Sequence, residues 1–284
     1  MMVAYMRALA DAGITHVPGF RDPTARVFLS EKRARRLAKA AERVRAGRAQ
    51  MRAAFGRAAA DLMALRTTAI DEAVRAATSR GNAQLVILGA GFDGRAWRMS
   101  ELRGVHVFEV DHPATQTAKR ERAMALGTPI GNVRFVALDF ERDSLGDALE
   151  RAGHDATRPT CWIWEGVVMY LSLDAMRTTL SNIAARSAEG STLIVNYHTA
   201  LRRGLHRFVL RLLGEPQKSK WSPDEMATDL AAAGYRVVED SGMSDWVKRF
   251  APRARETPTG RVMRVVVATR ETRPVSVGVN PLSL

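Results

Sequence analysis

Apolar positions recur at helical spacing along the first eighty residues, then gather into short unbroken runs from residue 84 onward. Leu37, Ala41, Val44, Met51 and Phe55 stand at offsets of 4, 7, 14 and 18, one stripe of a helix over 31–57 whose other faces carry arginines. Ile70, Val74 and Ala77 continue a helix through 58–78. Beyond it, strand and helix signals alternate. Strands are predicted at 84–88, 105–110, 133–138, 160–164, 191–197, 235–239 and 262–268, and helices at 94–100, 113–126, 143–152, 173–187 and 223–233. His112-Pro113 and Ser222-Pro223-Asp224-Glu225 supply helix entries, with proline in the first turn and acids beside it. No helix is predicted between the last two strands, so they should close as an antiparallel hairpin. The pattern is that of an α/β fold with a helical cap over 1–80, a core over 81–284 and a lid insertion at about 199–222.

The chemistry concentrates at the first strand. Gln84 to Leu88 run directly into Gly89-Ala90-Gly91, and Asp111 lies twenty residues beyond Gly91, at the tip of the next strand. A buried parallel strand, a glycine turn and a helix open a nucleotide-binding βαβ unit. At Gly89 and Gly91 a Cβ would keep the backbone from approaching a ligand closely. Gly89, Gly91 and Gly94 satisfy G-x-G-x-x-G, a weak signal in a chain with 21 glycines.

Ligands of open parallel sheets bind beyond the carboxyl ends of the strands, so those ends are read together. Strand two ends in Asp111, suited to ribose hydroxyls. Strand three ends in Leu138-Asp139-Phe140, where a carboxylate can accept an adenine amine and a ring can cover the base. Strand four ends in Trp164-Glu165-Gly166, opposite the glycine turn. Three carboxylates are poor neighbours for a pyrophosphate. They suit S-adenosyl-L-methionine better, which brings a sulfonium, an ammonium and one carboxylate.

Composition narrows the rest. The net charge of +13 invites a nucleic-acid partner, but residues 31–57 carry ten Lys/Arg against two Glu (+8) and 201–220 carry six against one (+5), leaving the remainder neutral. No basic ribbon studded with aromatics accompanies them, which argues against nucleic acid. No apolar run of about eighteen residues is present, so no membrane span is expected. The single cysteine, Cys161, sits in an aromatic strand as a buried thiol, and a cytoplasmic location follows by default.

The runs VILGAGFDGRAWRM, VFEVDHPATQTAKRERA, FVALDF and WEGVVMYL, with Asp22-Pro23 and Arg66-Thr67-Thr68-Ala69-Ile70-Asp71 upstream, resemble the leucine carboxyl methyltransferase family. They are most similar to its bacterial branch of O-methyltransferases of polyketide and other natural-product pathways. The resemblance covers about residues 16 to 200. It implies a Rossmann-like class I methyltransferase with a seven-stranded, mostly parallel sheet of order 3-2-1-4-5-7-6. It implies S-adenosyl-L-methionine as cofactor, with Arg66 on its carboxylate, Gly89 and Gly91 under its methionine part, Asp111 on the ribose, Asp139 and Phe140 on adenine, and Glu165 near the amino-acid end. Two positions depart from the family pattern: Gly94, where a hydroxyl residue is usual, and Asn196-Tyr197, where Asp-Tyr is common.

A carboxylate acceptor is ionised at neutral pH, so methyl transfer to it needs alignment and no general base. A phenol would need one, and His198 or His16 stand as candidates. Tyr170 and Tyr197, after strands four and five, are candidate substrate contacts. The expected partner is a small molecule, acidic or carried on another protein. Three other readings compete: an NAD-dependent oxidoreductase, a nucleic-acid methyltransferase and a catalytically silent scaffold. The acid at strand three and the seven-strand count oppose the first, the confinement of charge to two segments the second, and the complete pocket set the third.

Overall fold

The computed structural model describes residues 2–46, 52–140, 142–200 and 219–271. Helix α1 (Met2–Asp11) and α2 (Glu31–Arg45) precede a long α3 (Arg52–Ser79). The sheet follows as β1 (Gln84–Leu88), β2 (His106–Asp111), β3 (Asn132–Ala137), β4 (Thr160–Trp164), β5 (Thr192–His198), β6 (Tyr235–Gly242) and β7 (Met263–Arg270). Between the strands lie α4 (Arg95–Arg98), α5 (Pro113–Ala123), α6 (Leu145–Arg151), α7 (Leu173–Ala185), α8 (Pro223–Ala232) and α9 (Met243–Phe250). Strand order is β3-β2-β1-β4-β5-β7-β6, with β7 antiparallel to both neighbours and the other pairs parallel. Strand order and sense match those the resemblance implies.

β1 and β4 are buried at every position, as expected of central parallel strands covered on both faces. Alternate β1 residues feed two cores: Leu85 and Ile87 on one face, Val86 and Leu88 on the other. α3 seals the first face with Ile70, Val74 and Ala77, all fully buried, the stripe the spacing predicts. α6, α7 and α8 seal the second. The predicted entries also form: Ser222 Oγ accepts from Glu225 N at 3.2 Å while Glu225 returns to Ser222 N at 2.7 Å.

Three expectations change. The last two strands pair antiparallel, but α9 stands between them, so the connection is not a hairpin. Its stripe of Met243, Trp246, Val247 and Phe250 packs on the first core. The predicted helix over 31–57 divides: α2 ends at Arg45, with Leu37 and Val44 packed on the core, while the Met51 and Phe55 side chains lie outside the described residues. β5 extends to His198, so Asn196 and Tyr197 belong to the strand and do not follow it. Most of the predicted lid, 201–218, also lies outside the described residues. Among the described residues, no helix is long and apolar enough to cross a membrane.

Candidate functional site

The carboxyl ends of β1, β2 and β4 form one rim. Past β1, Gly89 and Gly91 turn with φ of +64° and +46°, the left-handed region that a Cβ disfavours. Gly91 N donates to Asp111 Oδ2 at 2.5 Å, and His112 N donates to Oδ1 at 2.7 Å. The second strand's acid therefore grips the first strand's glycine turn. A Cβ on Gly89 would stand 2.5 Å from Val167, so that glycine also makes room for the loop after β4. Gly94, the departure from the family pattern, has a local cause: its Cβ would collide with the Thr24 hydroxyl. Asp22 fixes Thr24 there, accepting from its hydroxyl at 2.5 Å.

Behind the turn runs a continuous chain of buried ion pairs. Arg7 of α1 meets Asp22 at 3.2 Å, and Asp22 lies 3.7 Å from Arg98. Arg98 reaches Asp71 of α3 through both terminal nitrogens, at 2.6 and 3.0 Å. Asp71 also holds Arg95 Nε at 2.8 Å. Arg95, with no exposed surface, pairs in addition with Asp93 and, at 3.0 Å, with Glu165 Oε2. Arg66 closes the chain, its Nη2 2.6 Å from Glu165 Oε1 and its Nη1 3.5 Å from Asn196 Oδ1. Four guanidiniums (Arg7, Arg66, Arg95, Arg98) thus face four carboxylates (Asp22, Asp71, Asp93, Glu165), and the chain is neutral.

Burial alone would raise the carboxyl pKa values here, and the neighbouring guanidiniums outweigh it. Arg66 and Arg95 hold Glu165 below the usual carboxylate range, and Arg98 and Arg95 do so for Asp71. Both acids stay ionised at neutral pH. Arg66 Nε is buried with no hydrogen-bond partner among the described residues. A planar guanidinium with one donor unmet, beside a carboxylate, suits a ligand that carries both signs of charge.

The structure brings Arg66, Gly89, Gly91, Asp111 and Glu165 to one end of the sheet. Asp139 and Phe140 follow β3 on the same rim, Phe140 exposed, and Asp139 N donates to Asp143 at 2.9 Å. Tyr170 follows β4 half-buried, and His198 ends β5 with its carbonyl accepting from Trp221 N at 3.1 Å. Tyr197 does not join a substrate surface. It is fully buried in the second core, and its hydroxyl donates to Asp240 Oδ2 at 2.6 Å. Burial and that carboxylate push the phenol well up. Cys161 is an inert core thiol pushed up to about 12 by burial. His16 is held by Asp61, with Nδ1 2.8 Å from Oδ2, and Asp61 also accepts from His16 N and the Thr15 hydroxyl.

Sequence reading passed over Arg7, Asp93, Arg95 and Arg98. One signal was available for Asp93, Arg95 and Arg98: an acid and two arginines stand within seven residues of a glycine turn that should be buried. Asn196, read as a lost acid, holds Arg66 and donates through Nδ2 to the Arg264 carbonyl at 2.9 Å.

The family model described as leucine carboxyl methyltransferase matches residues 1–184. A Mycolicibacterium smegmatis protein named as an S-adenosyl-L-methionine-dependent methyltransferase is 37% identical over 175 residues, 61% of this chain and 56% of its own length. A Streptomyces coelicolor protein with the same designation is 36% identical over 181 residues, 61% of this chain and 62% of its own. The chain therefore matches less than two thirds of either relative. Among solved structures, a protein of Thermobifida fusca described as a methyltransferase superposes with a TM-score of 0.59 over 96% of this chain and 95% of that one, at 16% identity.

Proposed function

The chain belongs to the leucine carboxyl methyltransferase family, and we propose that it moves the sulfonium methyl group of S-adenosyl-L-methionine to an oxygen of a small molecule. One observation carries the reading: the buried Arg66–Glu165 pair, 2.6 Å apart, beside a glycine turn pinned by Asp111. The amino-acid end of that cofactor is a zwitterion. Its carboxylate meets the fork of Arg66, including the unmet Nε, and its ammonium meets Glu165. Asp111 takes the ribose hydroxyls with its remaining lone pairs, and Asp139 and Phe140 take the adenine. When bound, the cofactor supplies a methyl group on a good leaving group. The residues supply alignment.

The preferred acceptor is an acidic small molecule, as in the natural-product branch that the sequence resembles. Its carboxylate is ionised at neutral pH, so no side chain has to remove a proton. A second reading, a hydroxyl acceptor, is favoured by the His16–Asp61 contact, which fixes the imidazole as an orienting carboxylate does for a general base. Turnover that stays flat from about pH 6 to 8.5 supports the carboxylate, and a rate lowered by roughly 10²–10⁴-fold in His16→Ala supports the hydroxyl.

Calorimetric titration with S-adenosylmethionine and S-adenosylhomocysteine tests the cofactor, with NAD as the competing ligand. Asp111→Ala should weaken binding by roughly 1.5–3 kcal/mol, the scale of a lost charge-assisted hydrogen bond. Unchanged affinity in that variant removes the ribose assignment, and binding of NAD alone replaces the reading with an oxidoreductase.

A further inference from the structure

We propose that Arg95, set in place by Asp71, is a positioning residue: it keeps Glu165 fixed as the acceptor for the cofactor's ammonium while Arg66 turns to the carboxylate. The inference rests on the cofactor reading above. In the structure Arg66 and Glu165 satisfy each other at 2.6 Å, so a zwitterion must part them. Parting a buried pair strands both charges unless each keeps another partner. Glu165 does: Oε1 faces Arg66, and Oε2 faces Arg95 Nη1 at 3.0 Å. Arg66 keeps Asn196. The neutral chain then receives the cofactor's amino-acid end, itself neutral overall, and each parted ion meets an opposite charge.

Arg95 can serve only if it does not follow either partner. It is fully buried and tied on three sides, to Asp93, Asp71 and Glu165. Asp93 Oδ1 also accepts from Arg95 N at 2.8 Å, which locks the start of α4. Asp71 is itself clamped by both terminal nitrogens of Arg98. Asp71 sits on α3 five residues from Arg66, so one rigid helix carries the moving guanidinium and the anchor of the fixed one. The two arginines divide the work: one exchanges partners, the other holds.

The experiment compares two ligands on wild type, Asp71→Asn and Arg95→Lys by calorimetry. S-Adenosylhomocysteine carries the amino-acid end, whereas 5′-methylthioadenosine keeps the nucleoside and lacks that end. Lysine preserves the charge balance but offers one head group in place of a fork, so it cannot span Asp71 and Glu165 together. Both variants should lose about tenfold or more in affinity for S-adenosylhomocysteine, about 1.4 kcal/mol. Both should bind 5′-methylthioadenosine within about twofold of wild type, a scale well below one lost hydrogen bond. Equal losses for the two ligands overturn the proposal, since they mark a packing role, and so does unchanged S-adenosylhomocysteine affinity. Should Asp71→Asn fail to fold, Arg95→Lys carries the same comparison. Wild type that binds neither ligand removes the cofactor reading itself, an outcome separate from any variant's selectivity.

Discussion

The two faces of the sheet are buried by opposite means. On one, α6, α7 and α8 lay Leu145, Leu149, Met176, Leu180, Ile183, Met226 and Leu230 against Val86, Leu88, Trp162 and Trp164. Its Arg177–Asp229 pair stays at the rim, with the arginine more than half exposed. On the other, α3 and α4 bring apolar side chains together with the eight-member ion chain, and Lys119 and Glu109 form a further buried pair at 2.5 Å. Desolvating charges is costly, and a buried ion pair often stabilises no more than the apolar residues that would replace it. Stability alone therefore does not account for the second arrangement. Its location does: the chain ends at Glu165 and Arg66, on the rim where the glycine turn opens.

The sharpest way to break this contrast is to remove one member from each face. Arg95→Met leaves Asp71, Asp93 and Glu165 short of a shared cation, and the loss should be about 3–5 kcal/mol in denaturant unfolding. Leu180→Ala on the apolar face should cost a comparable 2–5 kcal/mol by roughly the usual cavity scale. The faces separate in how the losses depend on pH. The Leu180→Ala loss should be constant from about pH 4 to 8, while the Arg95→Met loss should shrink toward acid as the stranded carboxylates take up protons. Parallel pH profiles for the two variants would show that the ion chain is energetically ordinary core.

Acid acts on the same face in the wild type. Asp71 and Glu165 have folded pKa values below their unfolded ones, so the unfolded chain binds more protons. Their stabilisation is complete above the unfolded carboxylate range and is lost as pH falls through it toward the folded values. His154 on the apolar face adds to the trend: burial, then Arg186, holds it down to about 4, so folding resists its protonation between about 6.5 and 4. Glu109, pushed up to about 7 by burial, acts with the opposite sign over the same range and offsets His154, so the melting temperature should fall chiefly below about pH 4.5, and Asp71→Asn should flatten that part. An equally steep acid limb in that variant would place the sensitivity elsewhere.

The apolar half of this contrast was legible in the sequence; of the charged half only Arg66 and Glu165 were, and their partners were not. Central parallel strands are unbroken apolar runs, so β1 and β4 fall where the pattern puts them, and the strand-end acids come with them. α9 was legible as well: Met243, Trp246, Val247 and Phe250 stand at offsets of 3, 4 and 7, the stripe of an amphipathic helix, and the expected hairpin left no place for it. Tyr197 reads as an acceptor contact because it stands at the predicted end of strand five; β5 runs on to His198 and is buried at every position, which puts the ring in the second core. The pairing within the ion chain was hidden for a different reason. Arg66 and Asn196 are 130 residues apart, Arg95 and Glu165 are 70, and among 43 basic residues any single arginine reads as solvated surface. Periodicity reports which side of an element is buried; it carries nothing about which charge meets which across the fold.

The smallest expected effect tests whether burial, and not the pairing of arginine with acid, separates the faces. Arg75 of α3 meets Glu101 at 2.7 Å, four residues from Asp71 and with the same pairing chemistry, but the side chains are 46% and 35% exposed. Water solvates both partners when the contact opens, and salt screens what remains. Glu101→Gln should therefore cost at most about 1 kcal/mol, a loss that fades as salt rises from roughly 0.05 to 1 M. Affinity for S-adenosylhomocysteine should be unchanged, because this pair does not belong to the chain that reaches Glu165. A loss above about 2 kcal/mol, or any selective weakening of that ligand over 5′-methylthioadenosine, would extend the charged network outward past Asp71 and move the boundary drawn between the site's ion chain and the ordinary surface of α3.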